Sequence, residues 1–179
     1  MHIPDGFLDP RTAVAGGLLA AGGIGLALRD ARRTLPSSRV PLVGVAAAFV
    51  FAAQTLNFPV AGGTSGHVVG ATLAAVLLGP SAAVLALTSV LTLQCLLFAD
   101  GGVTALGANL FNMAVLAPTV GYGVYRATAR ALGDTLRARL AGTAFGAWVS
   151  TTVAAVACAG ELSFSGTVRW ASALPALAG

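Results

Sequence analysis

His2 and His67 are the sequence's only two histidines, and each sits in an unusual place. His2 adjoins the first residue of the chain, and His67 closes a glycine-rich stretch. The α-amine of Met1, the backbone nitrogen of residue 2 and the His2 imidazole can close fused chelate rings around one ion. His67 offers a fourth nitrogen. Ni²⁺ and Cu²⁺ can displace a backbone amide proton in such a chelate, and square-planar nitrogen coordination is diagnostic of those ions. The spacing alone is equally compatible with a plain chain-end residue and a polar group at a helix start. The opening lacks the basic, then apolar, then small-residue pattern of a signal peptide. The bulky His2 suits methionine removal poorly, so Met1 is expected to stay.

These residues must be positioned by elements that live in lipid. Of 179 residues, 56% are hydrophobic and 9% charged, with mean hydropathy +0.86. A soluble domain carries about 25% charged residues, so the charge here is too sparse to cover a water-facing surface. The net charge of +4 comes from arginines in two short clusters between apolar runs, with no aromatic interleaving. That pattern sets membrane orientation and argues against a nucleic-acid partner. Cys95 and Cys158 lie in separate apolar runs and read as buried free thiols.

Periodicity and punctuation predict an all-α membrane protein, a single domain over residues 1–179 with about six transmembrane helices. Residues 1–9 form a polar N-terminal segment. Asp9-Pro10 reads as an N-cap followed by proline at the first helical position. Helices are expected over 12–28, 42–56, 67–79, 82–98, 109–125 and 140–159. Residues 57–67 read as irregular, glycine-rich, re-entrant backbone, tolerated in a membrane only where protein or water surrounds it. The following helix is too short to span a ~30 Å hydrocarbon core. Asp100-Gly101-Gly102 reads as a turn, and 160–179 as a mixed tail. Eight arginines (29, 32, 33, 39, 126, 130, 137 and 139) fall on one side of this topology, against Arg11 and Arg169 on the other. The positive-inside rule then puts the N-terminus of this multi-pass protein outside.

Three segments carry a family resemblance. Met1-His-Ile-Pro-Asp-Gly-Phe-Leu8 resembles the opening of the CbiM/NikM family, the substrate-capture (S) components of energy-coupling-factor cobalt and nickel importers. Asn57-Phe-Pro-Val-Ala-Gly-Gly-Thr-Ser-Gly-His67 resembles that family's second motif. Asp100-Gly-Gly-Val-Thr-Ala-Leu-Gly-Ala-Asn109-Leu-Phe-Asn112-Met113 resembles its third. The resemblance implies an N-terminal segment tucked into the bundle from outside, with metal held by the Met1 amine, the His2 amide and imidazole, and His67. It implies a transmembrane coupling (T) subunit, ABC ATPase subunits and a small accessory membrane subunit as partners. The cargo is Co²⁺ or Ni²⁺, and no resident cofactor is expected. The pattern departs from the family at its end. Members continue past a segment like Glu161-Leu-Ser-Phe-Ser-Gly-Thr167 into a further helix, without which one face of the bundle would be open.

Other polar groups in apolar surroundings are candidates for supporting the site: Asp5, Asn57, Ser65, Asn109 and Asn112, with Gln54 and Gln94. Each could equally make a plain interhelix bond, and Asp100 reads as a turn residue. Small residues at four-residue spacing (Gly17, Ala21, Gly25; Gly44, Ala48, Ala52) permit close helix contact, within the chain or with a coupling subunit. No Walker sequence is present, so any ATP-driven cycle needs other subunits. Two other functions are weighed. A capture subunit for an organic vitamin would need stacking aromatics, which the glycine-rich motifs supply only as Phe7, Phe58 and Phe111. An intramembrane enzyme would rest on Ser65 beside His67, a poor basis for a dyad. The sequence does not separate cobalt from nickel: both suit imidazole, and Irving–Williams order favours nickel only slightly.

Overall fold

The structure is a computed structural model that describes residues 2–56, 58–60, 64–66, 69–133 and 135–170. Its first helix, α1 (Pro10–Thr34), starts where sequence chemistry demands. Asp9 Oδ1 accepts the backbone N–H groups of Arg11 (2.9 Å) and Thr12 (3.3 Å), and Pro10 fills the first position. The helix runs past its apolar stretch because Arg32 and Arg33 suit a helix C-terminus. The described helices continue with α2 (Val40–Gln54), α3 (Ala71–Leu78), α4 (Pro80–Phe98), α5 (Leu106–Asn109), α6 (Ala117–Leu132) and α7 (Leu136–Phe164). A π-helical segment, Leu110–Leu116, joins α5 to α6. The π register ends with the Ala117 N–H on the Asn112 carbonyl, immediately before Pro118, which has no N–H to give. Counting that joined helix once gives six helices, the number expected. Among the described residues, four spans are by themselves long and apolar enough to cross a membrane: Pro10–Thr34, Ser37–Gln54, Pro80–Phe98 and Leu136–Phe164.

Two sequence expectations are corrected. The loop after α2 is not wholly irregular: β1 (Phe58–Val60) pairs antiparallel with β2 (Thr64–Gly66), Phe58 opposite Gly66. The helix after it begins at Ala71, not at His67, and has 8 residues, about 12 Å of rise. Gly70 imposes the later start. Its φ is +70°, and a Cβ there would come within 3.2 Å of Val50 Cγ2, so the chain turns left-handed at a spot where only glycine fits. At the other end of the chain, α7 continues to Phe164 and makes Glu161 helical, where a tail was expected.

The core lies around α4. Half of its span is buried, against 11% for the span containing α2. Leu87 and Leu91 of α4 pack with Val50, Val69, Met113 and Ala154. Of the expected stripe, only Gly17 brings helices together: a Cβ on Gly107 would lie 2.5 Å from Gly17 Cα, so α1 meets α5 nearly backbone to backbone. Gly23, outside the stripe, makes room for the π segment, since a Cβ there would lie 2.4 Å from Val115 Cγ1. Ala21, Gly25, Gly44, Ala48 and Ala52 are exposed. Leu18, Leu26, Phe49, Leu97 and Trp148 are each more than half exposed, as lipid-facing side chains should be. Buried polar groups find partners across helices. The Gln54 amide donates to the Val69 carbonyl (2.8 Å), Gln94 donates to Gln54 (3.0 Å), and Thr72 and Ser150 share a hydrogen bond at 2.9 Å. A lateral groove of about 610 Å³ remains between α3 and α7, lined in part by Thr72, Leu73, Ala147 and Trp148. Cys95 and Cys158 are buried and unbridged.

Candidate metal centre

The N-terminal segment is strapped across one end of the bundle, and Asn109 is its main fastening. The Ile3 N–H donates to Asn109 Oδ1 (2.8 Å), and the Asn109 amide donates back to the Ile3 carbonyl (3.1 Å). That carbonyl also accepts the Gly102 N–H at 2.9 Å. One side chain thus pairs with the residue-3 backbone much as a neighbouring β-strand would. The Ile3 side chain, 2% exposed, fills a pocket formed by Ala105, Ala108 and Cys158. Asp5 continues the strap: the Thr104 N–H (2.7 Å) and hydroxyl (2.6 Å) both donate to its Oδ1. The Thr104 hydroxyl, assisted by the N–H groups of Thr104 and Val103, holds the Asp5 carboxyl below its ordinary range. Farther along, the Thr167 hydroxyl donates to the Phe7 carbonyl and Ser165 donates to Asp9, so the end of α7 closes over the segment.

Glycines make this approach possible. A Cβ on Gly102 would lie 2.3 Å from the Asp5 nitrogen and 2.6 Å from the Pro4 carbonyl carbon. Gly102→Ala is therefore expected to push the segment out while leaving the helices in place. An aminopeptidase should then remove Met1 at least about tenfold faster than from wild type, equivalent to ~1.4 kcal/mol of lost docking. Mass spectrometry of timed digests checks this, and equal rates would show that the segment accommodates the methyl group.

His2 lies inside the strap. Its Nδ1 is 3.0 Å from Asp100 Oδ1, and the His2 side chain is 8% exposed. Gly101, at φ +97°, backs the ring. Asp100 is therefore more than the turn residue its sequence context suggests. Of the other candidates, Asn109 and Asp5 hold the N-terminal segment. Asn112 does not reach it: its amide donates to Glu161 Oε2 at 2.7 Å, an interhelix bond one turn below Asn109. Gln54, through Val69, anchors the chain two residues beyond His67. Met1, Asn57 and His67 lie outside the described residues, as does the Ser65 side chain. Among the described residues, no three His, Cys, Asp or Glu side chains converge as a metal cage.

This strap belongs to a recognisable lineage. Residues 2–179 match the family model described as the cobalt uptake substrate-specific transmembrane region. The chain belongs to the CbiM family. It is 50% identical over 165 residues to a putative metal transport protein of Haloquadratum walsbyi, covering 92% of this chain and 73% of that protein. It is 43% identical to the fused nickel transport protein NikMN of Rhodobacter capsulatus, covering 80% of this chain and 42% of that protein. It is 40% identical to the cobalt transport protein CbiM of Streptomyces coelicolor, over 70% of this chain and 55% of that protein. The chain thus spans about half the length of those last two relatives. A crystal structure of a truncated transition metal transporter superposes with TM-score 0.91 at 37% identity, covering 99% of this chain and 87% of that one. The CbiM relatives are transport proteins, in keeping with a membrane transporter and not an enzyme. The expected fold, a helical membrane bundle with a tucked N-terminal segment, stands, with the β1–β2 pair as its one departure among the described residues.

Proposed function

We propose that this CbiM-family chain is the substrate-capture subunit of an energy-coupling-factor importer, binding Co²⁺ or Ni²⁺ at the outer face for uptake. The observation that carries the reading is the clamp on Ile3, which holds His2 inside the bundle. Ordering a chain end costs about 1–2 kcal/mol per residue in backbone entropy, and a terminus without a task is usually left loose. The proposed donors are the Met1 amine, the His2 amide and imidazole, and His67. Asp5 and Asn109 hold the segment that carries the first three. Asn57 precedes β1 and Ser65 lies within β2; both would support His67, with Asn112 bracing the helices underneath.

The outer-face assignment draws support from charge. Arg32 and Arg33 close α1, Arg39 follows before α2, and Arg130 and Arg137 stand where α6 gives way to α7, all at the end of the bundle away from the strap, the end where Ser81 of α4 bonds Asp30 of α1. Placing those clusters in the cytoplasm puts the strap outside. The exposed small residues Ala21, Gly25, Gly44, Ala48 and Ala52 offer a close-contact face for the coupling subunit. The ATPase subunits would dock through that partner, since this chain has no phosphate-binding loop. The fused name of the Rhodobacter relative accords with an accessory membrane subunit.

Orientation and cargo are tested together. A cysteine at Val103, which is 60% exposed, should react with an impermeant maleimide added to intact cells, and one at Thr34 should not. Val103 serves better than neighbouring Gly102, which is buried under the strap. The purified untagged chain should bind Ni²⁺ or Co²⁺ and ignore Mg²⁺, which prefers oxygen donors. The reverse labelling pattern, or no transition-metal binding, would overturn the reading.

A further inference from the structure

Asp100 stands outside the proposed donor set, yet its carboxylate meets His2 at Nδ1 (3.0 Å). The choice of nitrogen matters because the two ring nitrogens are distinct. Only Nδ1 can close a six-membered ring with the backbone nitrogen of its own residue. Nε2, on the far side of the imidazole, cannot reach a metal bound there. In this conformation the nitrogen that a chelate requires is therefore engaged by a carboxylate. The turn is built to deliver that carboxylate. Ala99 is the only non-glycine with positive φ (+53°) among the described residues, and the Asp100 N–H is tied to the Gln94 carbonyl at 3.1 Å. Strain of this kind persists only where its surroundings over-determine it.

We propose that Asp100 is the positioning residue for His2, holding Nδ1 in the conformation seen and Nε2 in the one that binds metal, so that capture turns the imidazole about its Cβ–Cγ bond. The inference rests on the reading of His2 as a metal ligand. The turn carries Nε2 to the place now held by Cε1, beside the nitrogen position that Asp100 faces, and a small shift of the carboxylate re-forms the bond. Nδ1 takes the place of Cδ2, on the side where Gly101 presents no Cβ. For a neutral ring the protons balance: the one on Nδ1 is given up and one is gained on Nε2, leaving Nδ1 bare for the metal. A liganding imidazole whose other N–H meets a carboxylate is fixed in tautomer and orientation and is a stronger donor.

The test is imidazole ¹⁵N NMR of the untagged chain in detergent at mildly alkaline pH, with Ni²⁺ as the probe. In square-planar coordination Ni²⁺ is diamagnetic and leaves the lines sharp. The His2 proton should sit on Nδ1 without metal and on Nε2 with it. Asp100→Ala should move the metal-free proton to Nε2 and weaken Ni²⁺ binding about 10–100-fold, the usual cost of losing such a partner. Asp100→Asn, which keeps an acceptor, should lose less, and it decides the matter if the alanine variant does not fold. A proton on Nδ1 in both states, or wild-type affinity in both variants, would overturn the proposal. His2→Ala separates the two levels of inference. If it binds Ni²⁺ normally, the ligand reading itself fails. If it abolishes binding while Asp100→Ala keeps wild-type affinity, only the positioning role fails.

Discussion

A chain carrying even one residue ahead of Met1 is expected to lose high-affinity Ni²⁺ and Co²⁺ binding while remaining folded in detergent. The extension converts a proposed amine donor into an amide, a far poorer ligand until it too loses its proton. It also has no slack to draw on. Ile3 is pinned through both backbone groups by Asn109 and through its side chain by Ala105, Ala108 and Cys158, so residues added in front cannot be absorbed by sliding the segment. The loss should exceed about 100-fold, more than the 10–100-fold typical of an outer-shell partner alone. Inserting one alanine between Met1 and His2 enlarges the chelate and adds an amide, and should fail in the same direction. A C-terminal tag should be tolerated. Calorimetric titration of untagged, extended and inserted proteins checks all three. Unchanged affinity in the extended form would exclude the amine and leave His2 as an ordinary side-chain donor.

His67→Ala should have an effect of similar size, removing one of four proposed nitrogens and lowering affinity by at least about 100-fold. The segment after His67 is held independently of the histidine, by the Gln54 amide on the Val69 carbonyl and by the left-handed turn at Gly70. The substitution should therefore leave melting behaviour close to wild type, separating loss of a donor from loss of the fold. Cys95→Ser and Cys158→Ala provide the contrast. Cys95 is buried, and its thiol lies 3.5 Å from the Gly101 carbonyl. Cys158 is packed beside Ile3. Affinity within about threefold of wild type is expected for both, a change well under the ~1.4 kcal/mol of a tenfold effect. Loss of binding in the cysteine variants with retention in His67→Ala would mean that sulfur, not imidazole, holds the cation.

What could be read from the sequence follows the range of the forces involved. The start of α1 was legible because Asp9 and Pro10 act within one turn. Its end was misplaced, at Leu28 and not Thr34, because hydropathy marks where the lipid ends. Arginines carry a helix on beyond that point at little cost. The same reasoning shortened α7 at both ends. The β1–β2 pairing was hidden by glycines and a proline, which signal punctuation locally but do not prevent Phe58–Val60 from pairing with Thr64–Gly66. Asn109 and Asn112 look alike in sequence and sit three positions apart. One clamps Ile3 and the other braces Glu161, a distinction set by helix register and neighbouring helices. The role of Asp100 was masked by the two glycines after it, which already explained it as a turn. Its pairing with His2 joins the start of the chain to the end of α4, and no local window contains both.

The Asn109 clamp also reverses an ordinary gradient of local stability. Chain termini are where proteins fray first, opening with free energies near zero. Here the third residue is tied to the bundle by three backbone hydrogen bonds and a buried side chain. Its amide belongs with those of the core in resistance to solvent exchange. The peripheral α2, little buried by the rest of the chain, owes its protection to lipid instead, where a broken backbone hydrogen bond finds no water to replace it.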